Sequence, residues 1–316
     1  MIPNFSPTTG TIAICGIGQM GASSAVAFQR AGYRVLLWAR DEAKLRAVET
    51  ELARQSDWSN DNVGPAKREG GQILLEPNLA RLDREADVIL DCIAEVIELK
   101  AELFRKFDDA KTRGALFLSA TSGLSITEMG RGGECGPLLV GAHFWNPPHL
   151  IPVVEMVAGE DTPPERLVAA CALMEDIDKV PVRCKDVPGF IGNRIMHAMW
   201  RECLDLVEQG VCTAEDVDRV VKLTFALRLP ALGPMENMDL VGLELAERVQ
   251  RYLLPDLARN TIPASCMTDK IAAGDVGMKS GKGFYDWTKR DAKKVIENRD
   301  AQIARQVAFL REIGEL

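Results

Sequence analysis

The feature that most constrains the fold of this chain is a glycine-rich turn near its start, Gly16-Ile17-Gly18-Gln19-Met20-Gly21. A β-branched and apolar run precedes the turn at Thr11–Cys15, and a helical pattern follows it at Met20–Ala31. Between a strand and a helix, the first glycine permits the tight turn and the second lets the backbone approach a pyrophosphate, while the third allows close helix–strand packing. The helix N-terminus adds free N–H groups and a partial positive charge. The pattern predicts a dinucleotide site at Gly16, Gly18, Gln19, Met20 and Gly21; the alternative is a glycine-rich turn without a ligand.

Short apolar runs alternate with helical patterns through the first half of the chain. Beyond the first strand, the sequence predicts strands at Arg34–Trp38, Ile73–Leu75, Asp87–Ile93, Ala115–Leu118 and Leu138–Ala142. Strands that alternate with helices imply parallel β-α-β units. We therefore predict an α/β fold whose N-terminal part is a Rossmann-type doubly wound sheet.

The second half of the chain reads differently. After Pro188-Gly189 the strand signals stop, and the Pro-Gly pair marks a boundary. Helical spacing follows at Ile191–Gln209, Ala214–Val221, Leu240–Leu253 and Ala292–Ile313. We predict a dinucleotide-binding domain over residues 1–186 and an all-α domain for substrate binding and dimerisation over residues 187–316.

Composition and charge narrow the classes of partner. The net charge of −8 argues against binding to nucleic acid or to anionic membranes, both of which require clustered Lys and Arg. No apolar run is long enough for a transmembrane helix, and residues 1–10 do not resemble a signal peptide. The eight cysteines form no CxxC pair and the three histidines are not spaced with them as metal ligands, so we expect reduced thiols in a cytoplasmic protein and no metal. The expected partner is a small-molecule substrate.

The end of the second predicted strand bears on the choice of cofactor. NAD-binding chains usually carry Asp or Glu there to accept a hydrogen bond from the ribose. In this chain Ala39 takes that position and Arg40 follows it. A small residue followed by Arg suits a 2′-phosphate, because guanidinium binds phosphate in a forked geometry. The sequence thus favours NADP over NAD; the alternatives are that Asp41 reaches the ribose or that Arg40 stacks on adenine.

A histidine and a carboxylate lie near the ends of two successive apolar runs. His143 belongs to the run His143-Phe144-Trp145-Asn146-Pro147-Pro148, and Glu155 follows twelve residues later. On adjacent strand ends the two can form a dyad, in which the carboxylate fixes the imidazole tautomer and stabilises the imidazolium. The alternative is a structural histidine with satisfied hydrogen bonds.

The chain resembles the 3-hydroxyacyl-CoA dehydrogenase family over roughly residues 11 to 288. The segment from His143 to Glu155 is similar to the family's His-Phe-x-Asn-Pro…Glu motif. Four further segments resemble family motifs in the same order: Cys92–Lys100, Ser119–Gly123, Asp186–Arg194 and Gly281–Trp287. Five ordered motifs are specific, and they imply an NAD(P)-dependent enzyme that transfers a hydride between nicotinamide and a hydroxyl carbon of a 3-hydroxyacyl-type substrate.

The resemblance also implies a role for each matching residue. His143 would accept the proton of the hydroxyl and Glu155 would orient it. Ser122 would hydrogen-bond the substrate oxygen, and Asn193 would help to hold His143 and the substrate carbonyl. The alternatives are a turn or N-cap role for Ser122 and a capping role for Asn193.

Further expectations from the resemblance concern the cofactor and assembly. Glu95 and Lys100 would lie beside the nicotinamide and its ribose; the alternative is a solvated helix start. Relatives pair through the helical domain, which implies a homodimer.

The substrate is less constrained than the reaction. Relatives that use CoA carry a basic helical extension after the second strand, whereas residues 41–62 here hold six acidic and three basic residues, with Lys67 and Arg68 as possible compensation. The run Asn146–Pro152 resembles branches that act on free alcohols, namely the lambda-crystallin/gulonate, carnitine and pyridine-alcohol dehydrogenases. A free hydroxy acid or ring alcohol is therefore an alternative substrate, and His149 is either a contact for its carboxylate or an ordinary loop residue. A non-catalytic crystallin-like protein is a third alternative, disfavoured because His143, Glu155, Ser122 and Asn193 are all present.

Overall fold

The computed structural model describes residues 10–316, and within that span the first half of the chain forms one eight-stranded sheet. The strands are β1 (Thr11–Cys15), β2 (Arg34–Trp38), β3 (Gln72–Leu75), β4 (Val88–Asp91), β5 (Leu116–Ser119), β6 (Leu139–Phe144), β7 (Val153–Ala158) and β8 (Val180–Lys185). Their order is β3-β2-β1-β4-β5-β6-β7-β8, and all neighbours are parallel except β6 and β7. The chain reverses direction across the sheet between β1 and β4, which is the switch point where open α/β sheets bind ligands.

Helices cover both faces of this sheet, as a doubly wound fold requires. They are α1 (Gln19–Arg30), α2 (Glu42–Ala47), α3 (Glu49–Asn62), α4 (Leu79–Glu85), α5 (Ile97–Arg105), α6 (Asp108–Arg113), α7 (Ile126–Gly132) and α8 (Pro164–Asp176). Alternate residues of one strand enter different cores: Ile12 and Ile14 pack with α1 and α8, whereas Ala13 and Cys15 pack on the other face with α5 and α7. Because side chains alternate across a strand, both faces must be apolar, which explains why the strands read as continuous apolar runs.

The remainder of the described chain is helical. Its helices are α9 (Gly192–Glu208), α10 (Ala214–Leu223), α11 (Pro234–Val241), α12 (Leu243–Leu253), α13 (Ser265–Ala272) and α14 (Ala292–Glu312). No helix among residues 10–316 is long and apolar enough to cross a membrane.

The chain divides into two compact units. The first contains residues 10–194 and 303–316, and the second contains residues 195–302. These bounds differ from the predicted ranges of 1–186 and 187–316 at both ends of the helical unit, because the first residues of α9 and the last ten residues of α14 contact the first unit. The first unit carries the sheet, and the second consists of helices joined by loops, with the longest loop between α13 and α14.

The predicted elements agree with the structure most closely where the sheet is buried on both faces. The bounds of β1 and β2 match the predicted ones, and the predicted doubly wound sheet with a helical second part is confirmed. After β2 the chain forms two helices, α2 and α3, that meet at Val48. Strand β8 was not predicted, since it contains Pro181 and alternates polar residues. It lies at the edge of the sheet, where a proline costs no ladder hydrogen bond.

Candidate active site

The glycine-rich turn joins β1 to α1 and shows the shape that a pyrophosphate requires. Gly16 has a φ of +119°, and a Cβ there would lie 2.5 Å from the carbonyl oxygen of Cys92. A Cβ on Gly21 would lie 1.9 Å from the carbonyl oxygen of Gly16, so helix and turn touch at this point. Gly18 faces open space instead, and Gln19 and Met20 form the first turn of α1. The turn thus leaves one glycine and the helix N-terminus free to meet a ligand.

A cavity of about 320 Å³ adjoins this turn at the end of β2. Gly16, Ala39 and Arg40, three residues that the sequence predicts to contact the cofactor, line this cavity. Asp41 and Lys44 line it as well, and the Asp41 side chain accepts a hydrogen bond from the backbone N–H of Lys44 at 3.1 Å. Successive side chains of a strand point to opposite faces, but β2 ends at Trp38, before Arg40 and Asp41. Both of these residues line the cavity.

Glu95 lies between the ends of β4 and β5 and joins two predicted site segments. Its Oε1 accepts hydrogen bonds from the Thr121 hydroxyl at 2.6 Å and from the backbone N–H of Ser122 at 2.7 Å. Its side chain is 42% exposed, so the carboxylate remains open to a ligand. Glu95 therefore fixes the Ser122 loop while facing solvent.

Lys100 lies deeper than the resemblance implied. Its side chain is 1% exposed, and its ammonium contacts Asp91 Oδ2 at 2.8 Å, the Ile93 carbonyl at 3.3 Å and Glu95 Oε2 at 3.4 Å. Three acceptors match the three donors of an ammonium. Lys100 is thus neither a solvated helix start nor open to a ligand in this conformation, and it holds Glu95 and Asp91 in place.

Asp91 is a buried carboxylate that the sequence analysis did not single out. Its Oδ2 also accepts a hydrogen bond from the Ser119 hydroxyl at 2.7 Å, and its Oδ1 accepts one from the backbone N–H of Ile93 at 3.0 Å. A buried ion pair persists only when its remaining polar atoms are satisfied, as they are here. The signal for this site was an acidic residue at the end of an apolar strand.

The histidine and the carboxylate form the predicted dyad. His143 on β6 and Glu155 on β7 are direct cross-strand partners in the antiparallel register. The Nδ1 atom of His143 lies 2.7 Å from Glu155 Oε2, and both side chains are buried. Because an ionised carboxylate only accepts hydrogen bonds, the proton sits on Nδ1 and the Nε2 lone pair is left as the basic site.

The carboxylate of Glu155 also marks where α9 begins. Its Oε1 accepts hydrogen bonds from the backbone N–H groups of Ile191 at 2.8 Å and Gly192 at 2.9 Å. Burial acts to raise the pKa of Glu155, but the hydrogen bonds from His143, Gly192 and Ile191 outweigh it and hold that pKa below its usual value. Glu155 therefore stays charged and is fixed on both oxygens.

Trp145 is a third donor to this carboxylate, and the sequence analysis gave it no role. Its indole Nε1 donates to Glu155 Oε2 at 3.2 Å, and its ring centroid lies 5.2 Å from that of His143. A Cβ on Gly192 would come within 2.2 Å of the indole, so only glycine leaves room for the ring where α9 begins. Trp145 therefore packs between the dyad and this helix start.

The side chain of Asn193 contacts the backbone of Ser122. The Asn193 side-chain Nδ2 donates to the Ser122 carbonyl oxygen at 2.6 Å, and Ser122 itself is exposed. Ser122 is not the cap of α7, because that role belongs to Ser125.

His149 lies elsewhere and packs edge-on against Trp58, with ring centroids 6.2 Å apart. No cluster of His, Cys, Asp and Glu suited to a metal occurs among residues 10–316.

We expect Trp145→Phe to weaken catalysis without unfolding the protein, because the ring is kept and only the N–H donor is lost. A hydrogen bond to a charged acceptor contributes roughly 1.5–3 kcal/mol, and at 3.2 Å we expect the lower end, or about a tenfold fall in kcat. Losing a donor also makes Glu155 easier to protonate, so the acidic limb of the kcat profile should move to higher pH. The other titratable groups that act on Glu155 are His143 on β6 and Cys184 on β8, and both are retained. Trp58→Phe makes the same change on α3 of the same unit, where the indole packs against His149 and not against Glu155, and is the control. An unchanged kcat and pH profile in Trp145→Phe would remove Trp145 from the site.

Comparisons with known proteins agree with this geometry. Residues 11–187 match the NAD binding domain of 3-hydroxyacyl-CoA dehydrogenase, and residues 189–287 match its C-terminal domain. The chain is 32% identical to 5-formyl-3-hydroxy-2-methylpyridine 4-carboxylate 5-dehydrogenase of Mesorhizobium japonicum, over 96% of this chain and 98% of that protein. It is 33% identical to L-carnitine dehydrogenase of Nocardiopsis dassonvillei, over 96% of this chain and 92% of that protein.

A solved structure extends the likeness to three dimensions. The crystal structure of 5-formyl-3-hydroxy-2-methylpyridine 4-carboxylic acid 5-dehydrogenase, described as an NAD⁺-dependent dismutase, matches with a TM-score of 0.90 and 30% identity. The match covers 95% of this chain and 98% of that chain. With a nicotinamide-binding domain, a fold shared over nearly the whole length and a histidine–glutamate pair on β6 and β7, this chain belongs to the 3-hydroxyacyl-CoA dehydrogenase family of oxidoreductases that act on CH–OH groups.

Proposed function

We propose that this dehydrogenase acts on a small free alcohol that carries a carboxylate, with His143 as the base. The observation that supports His143 as the base is its buried pairing with Glu155, which leaves Nε2 as the proton acceptor. A bound nicotinamide would supply the acceptor for the hydride of the carbinol carbon. Nε2 of His143 takes the hydroxyl proton, and the charged Glu155 stabilises the imidazolium that results.

The neighbouring residues orient the substrate in this proposal. The Ser122 hydroxyl is exposed and donates to the substrate oxygen. Asn193 fixes the Ser122 backbone through its amide nitrogen, which leaves its Oδ1 to accept a hydrogen bond from Nε2–H of His143 once that imidazole has taken up the proton. These contacts supply alignment, which contributes to rate by restricting the reacting groups to a productive geometry.

The residues around the glycine-rich turn fit a nicotinamide dinucleotide. Gly16, Gly18, Gln19, Met20 and Gly21 would hold the pyrophosphate, because Gly18 opens onto free space and the α1 N-terminus offers N–H donors. Ala39 and Arg40 would meet the adenosine end in the adjoining cavity. Glu95 would face the nicotinamide ribose, and Lys100 would act beneath it by fixing the Glu95 carboxylate.

Lys67 and Arg68, the cations that follow α3 and are candidates to bind coenzyme A, are already paired with aspartates of the protein. Lys67 lies 2.8 Å from Asp178, and Arg68 forms a two-pronged contact with Asp176 at 2.6 and 3.0 Å. The helices α2 and α3 that precede them carry more acidic than basic residues. Coenzyme A has several phosphates, so the engagement of Lys67 and Arg68 with aspartates disfavours it. The names of the two relatives above contain no coenzyme A, which supports the same reading.

A 3-hydroxyacyl-CoA substrate is the second candidate. It is favoured by the match of both halves of the chain to the 3-hydroxyacyl-CoA dehydrogenase domains. It requires Lys67 and Arg68 to exchange their aspartate partners for phosphates when the substrate binds.

A substrate panel tests the proposal. The measurement is the rate of NADH or NADPH formation with free hydroxy acids, pyridine alcohols bearing a carboxylate, and 3-hydroxybutyryl-CoA. We expect kcat/KM for at least one free carboxylated alcohol to exceed that for the CoA thioester by about tenfold or more. A CoA thioester that outperforms every free alcohol by that margin would establish the second candidate instead.

We further propose that NADP is accepted and modestly preferred. Arg40, Lys44 and Lys106 are the cations of the cavity beside Ala39, where no carboxylate occupies the usual ribose position. The acids of the same wall, Asp41 and Glu102, are each near a lysine: Lys44 at 3.8 Å and Lys106 at 2.9 Å. Arg40 is then the cation best placed for a 2′-phosphate.

Arg40→Ala should lose affinity for NADP and keep its affinity for NAD. A charge-assisted contact contributes roughly 1.5–3 kcal/mol, or about ten- to a hundredfold, and exposure of Arg40 favours the lower end. The measurement is the Michaelis constant for each cofactor, with Arg46→Ala as the control because Arg46 pairs with Glu42 and does not line the cavity. A parent enzyme that prefers NAD by tenfold, or constants that Arg40→Ala leaves unchanged, would refute the preference.

We also propose a homodimer that forms through the helical unit and resides in the cytoplasm. The unit exposes many large apolar side chains, among them Leu227 (70%), Met235 (70%) and Tyr252 (79%), and an interface in the helical unit would remove such side chains from water. All eight cysteines are free thiols, which suits a reducing compartment. The acidic net charge supports a small-molecule substrate rather than nucleic acid or a membrane surface.

A further inference from the structure

A second cavity of the first unit shares no lining residue with the glycine-rich turn or the dyad. It lies among the last turn of α1, the turn between α8 and β8, the segment that follows β6, and the end of α14. Its volume is about 100 Å³, room for roughly three water molecules. A single phosphate or carboxylate group fits a space of this size.

A buried lysine forms part of the wall. Lys179 is 7% exposed, and its ammonium donates to the carbonyl oxygens of Pro148 at 2.6 Å and Ile151 at 2.9 Å. Among residues 10–316 no third acceptor and no carboxylate contacts this ammonium, although it has three donors. Both partners are neutral carbonyl groups, so no negative charge offsets that of the buried ammonium. Burying a charge without such a partner costs free energy.

Other cations face the same space. Arg311 on α14 has no acidic partner among the described residues, and Arg30 on α1 donates only to the Asn60 side-chain oxygen and the Gly64 carbonyl. Lys67 is balanced by Asp178, the one carboxylate side chain that lines the cavity. Burial and then the charge of Arg311 lower the pKa of Lys179 to about 7, against an opposing effect of Asp178. Basic side chains outnumber acidic ones along the cavity wall, so the cavity is electropositive.

We propose that this cavity binds a small oxyanion, such as a phosphate or a carboxylate group, between Lys179 and Arg311. The third N–H of Lys179 and the guanidinium of Arg311 supply charge-assisted donors, and Arg30 adds a third positive charge. Such an anion supplies the counter-charge that the described side chains lack.

Anion binding here acts on the segment that joins the two strands of the dyad. Residues 145–152 link β6, which carries His143, to β7, which carries Glu155, and Lys179 holds two carbonyls of that segment. An anion beside Lys179 favours its charged form, which is the stronger donor to both carbonyls. The site therefore couples the concentration of an oxyanion to the stability of this segment.

The test measures the melting temperature of the NAD-saturated protein during titration with inorganic phosphate near neutral pH. Bound NAD occupies the glycine-rich turn, which would otherwise attract phosphate itself. Sodium chloride keeps the ionic strength constant, and sodium acetate forms a second titration. We expect saturable stabilisation of about 2 °C at millimolar phosphate in the parent and in Lys185→Met, which removes an exposed lysine at the other end of β8, outside the cavity.

The variants decide the outcome. Lys179→Met and Arg311→Gln should both lose the shift, and Arg311→Gln is decisive if Lys179→Met does not fold, because Arg311 is exposed. A shift with phosphate alone supports a phosphate site, and a shift with acetate as well supports a general oxyanion site. No shift in the parent, or an undiminished shift in Arg311→Gln, would overturn the proposal.

Discussion

The rest of the site depends on one buried carboxylate that four donors hold in place. Glu155 accepts from His143 and Trp145 on one oxygen and from the backbone of Ile191 and Gly192 on the other. A buried charge of this kind is stable only when all its lone pairs are used. It therefore fixes the tautomer of the histidine and the position of the α9 start at the same time. Loss of any one donor should therefore change the position or the pKa of the carboxylate that the other three donors share.

A second charged network lies at the end of the central strand β4. Lys100 lies between Asp91 and Glu95, and Glu95 in turn holds the loop of Ser122. Asn193, which follows the Glu155-bound residues in the chain, holds the same loop from the other side. Ser122 is thus fixed by residues that belong to both networks. The alignment of a substrate hydroxyl between His143 and the nicotinamide would follow from these contacts.

The sequence predicted the sheet, because the signals for its strands are local. Continuous apolar runs gave the central strands, and the glycine spacing gave the turn after β1. The pairing of His143 with Glu155 depended on a strand register that no short pattern specifies. The burial of Lys100 was missed since its partner Asp91 is nine residues away and becomes a partner only once β4 and α5 pack. The edge strand β8 was missed because its proline argues against a strand everywhere except at an edge.

The central claim, that Glu155 acts through His143, is tested most directly by a double-mutant cycle of kcat with His143→Gln and Glu155→Gln. Removing a general base costs about 10²–10⁴-fold, and we expect each single variant to lose about a hundredfold or more. Residues that act as one unit give strongly non-additive losses. The account predicts that the double variant is within about threefold of His143→Gln alone. Losses that multiply, so that Glu155→Gln costs as much without the histidine as with it, would contradict it.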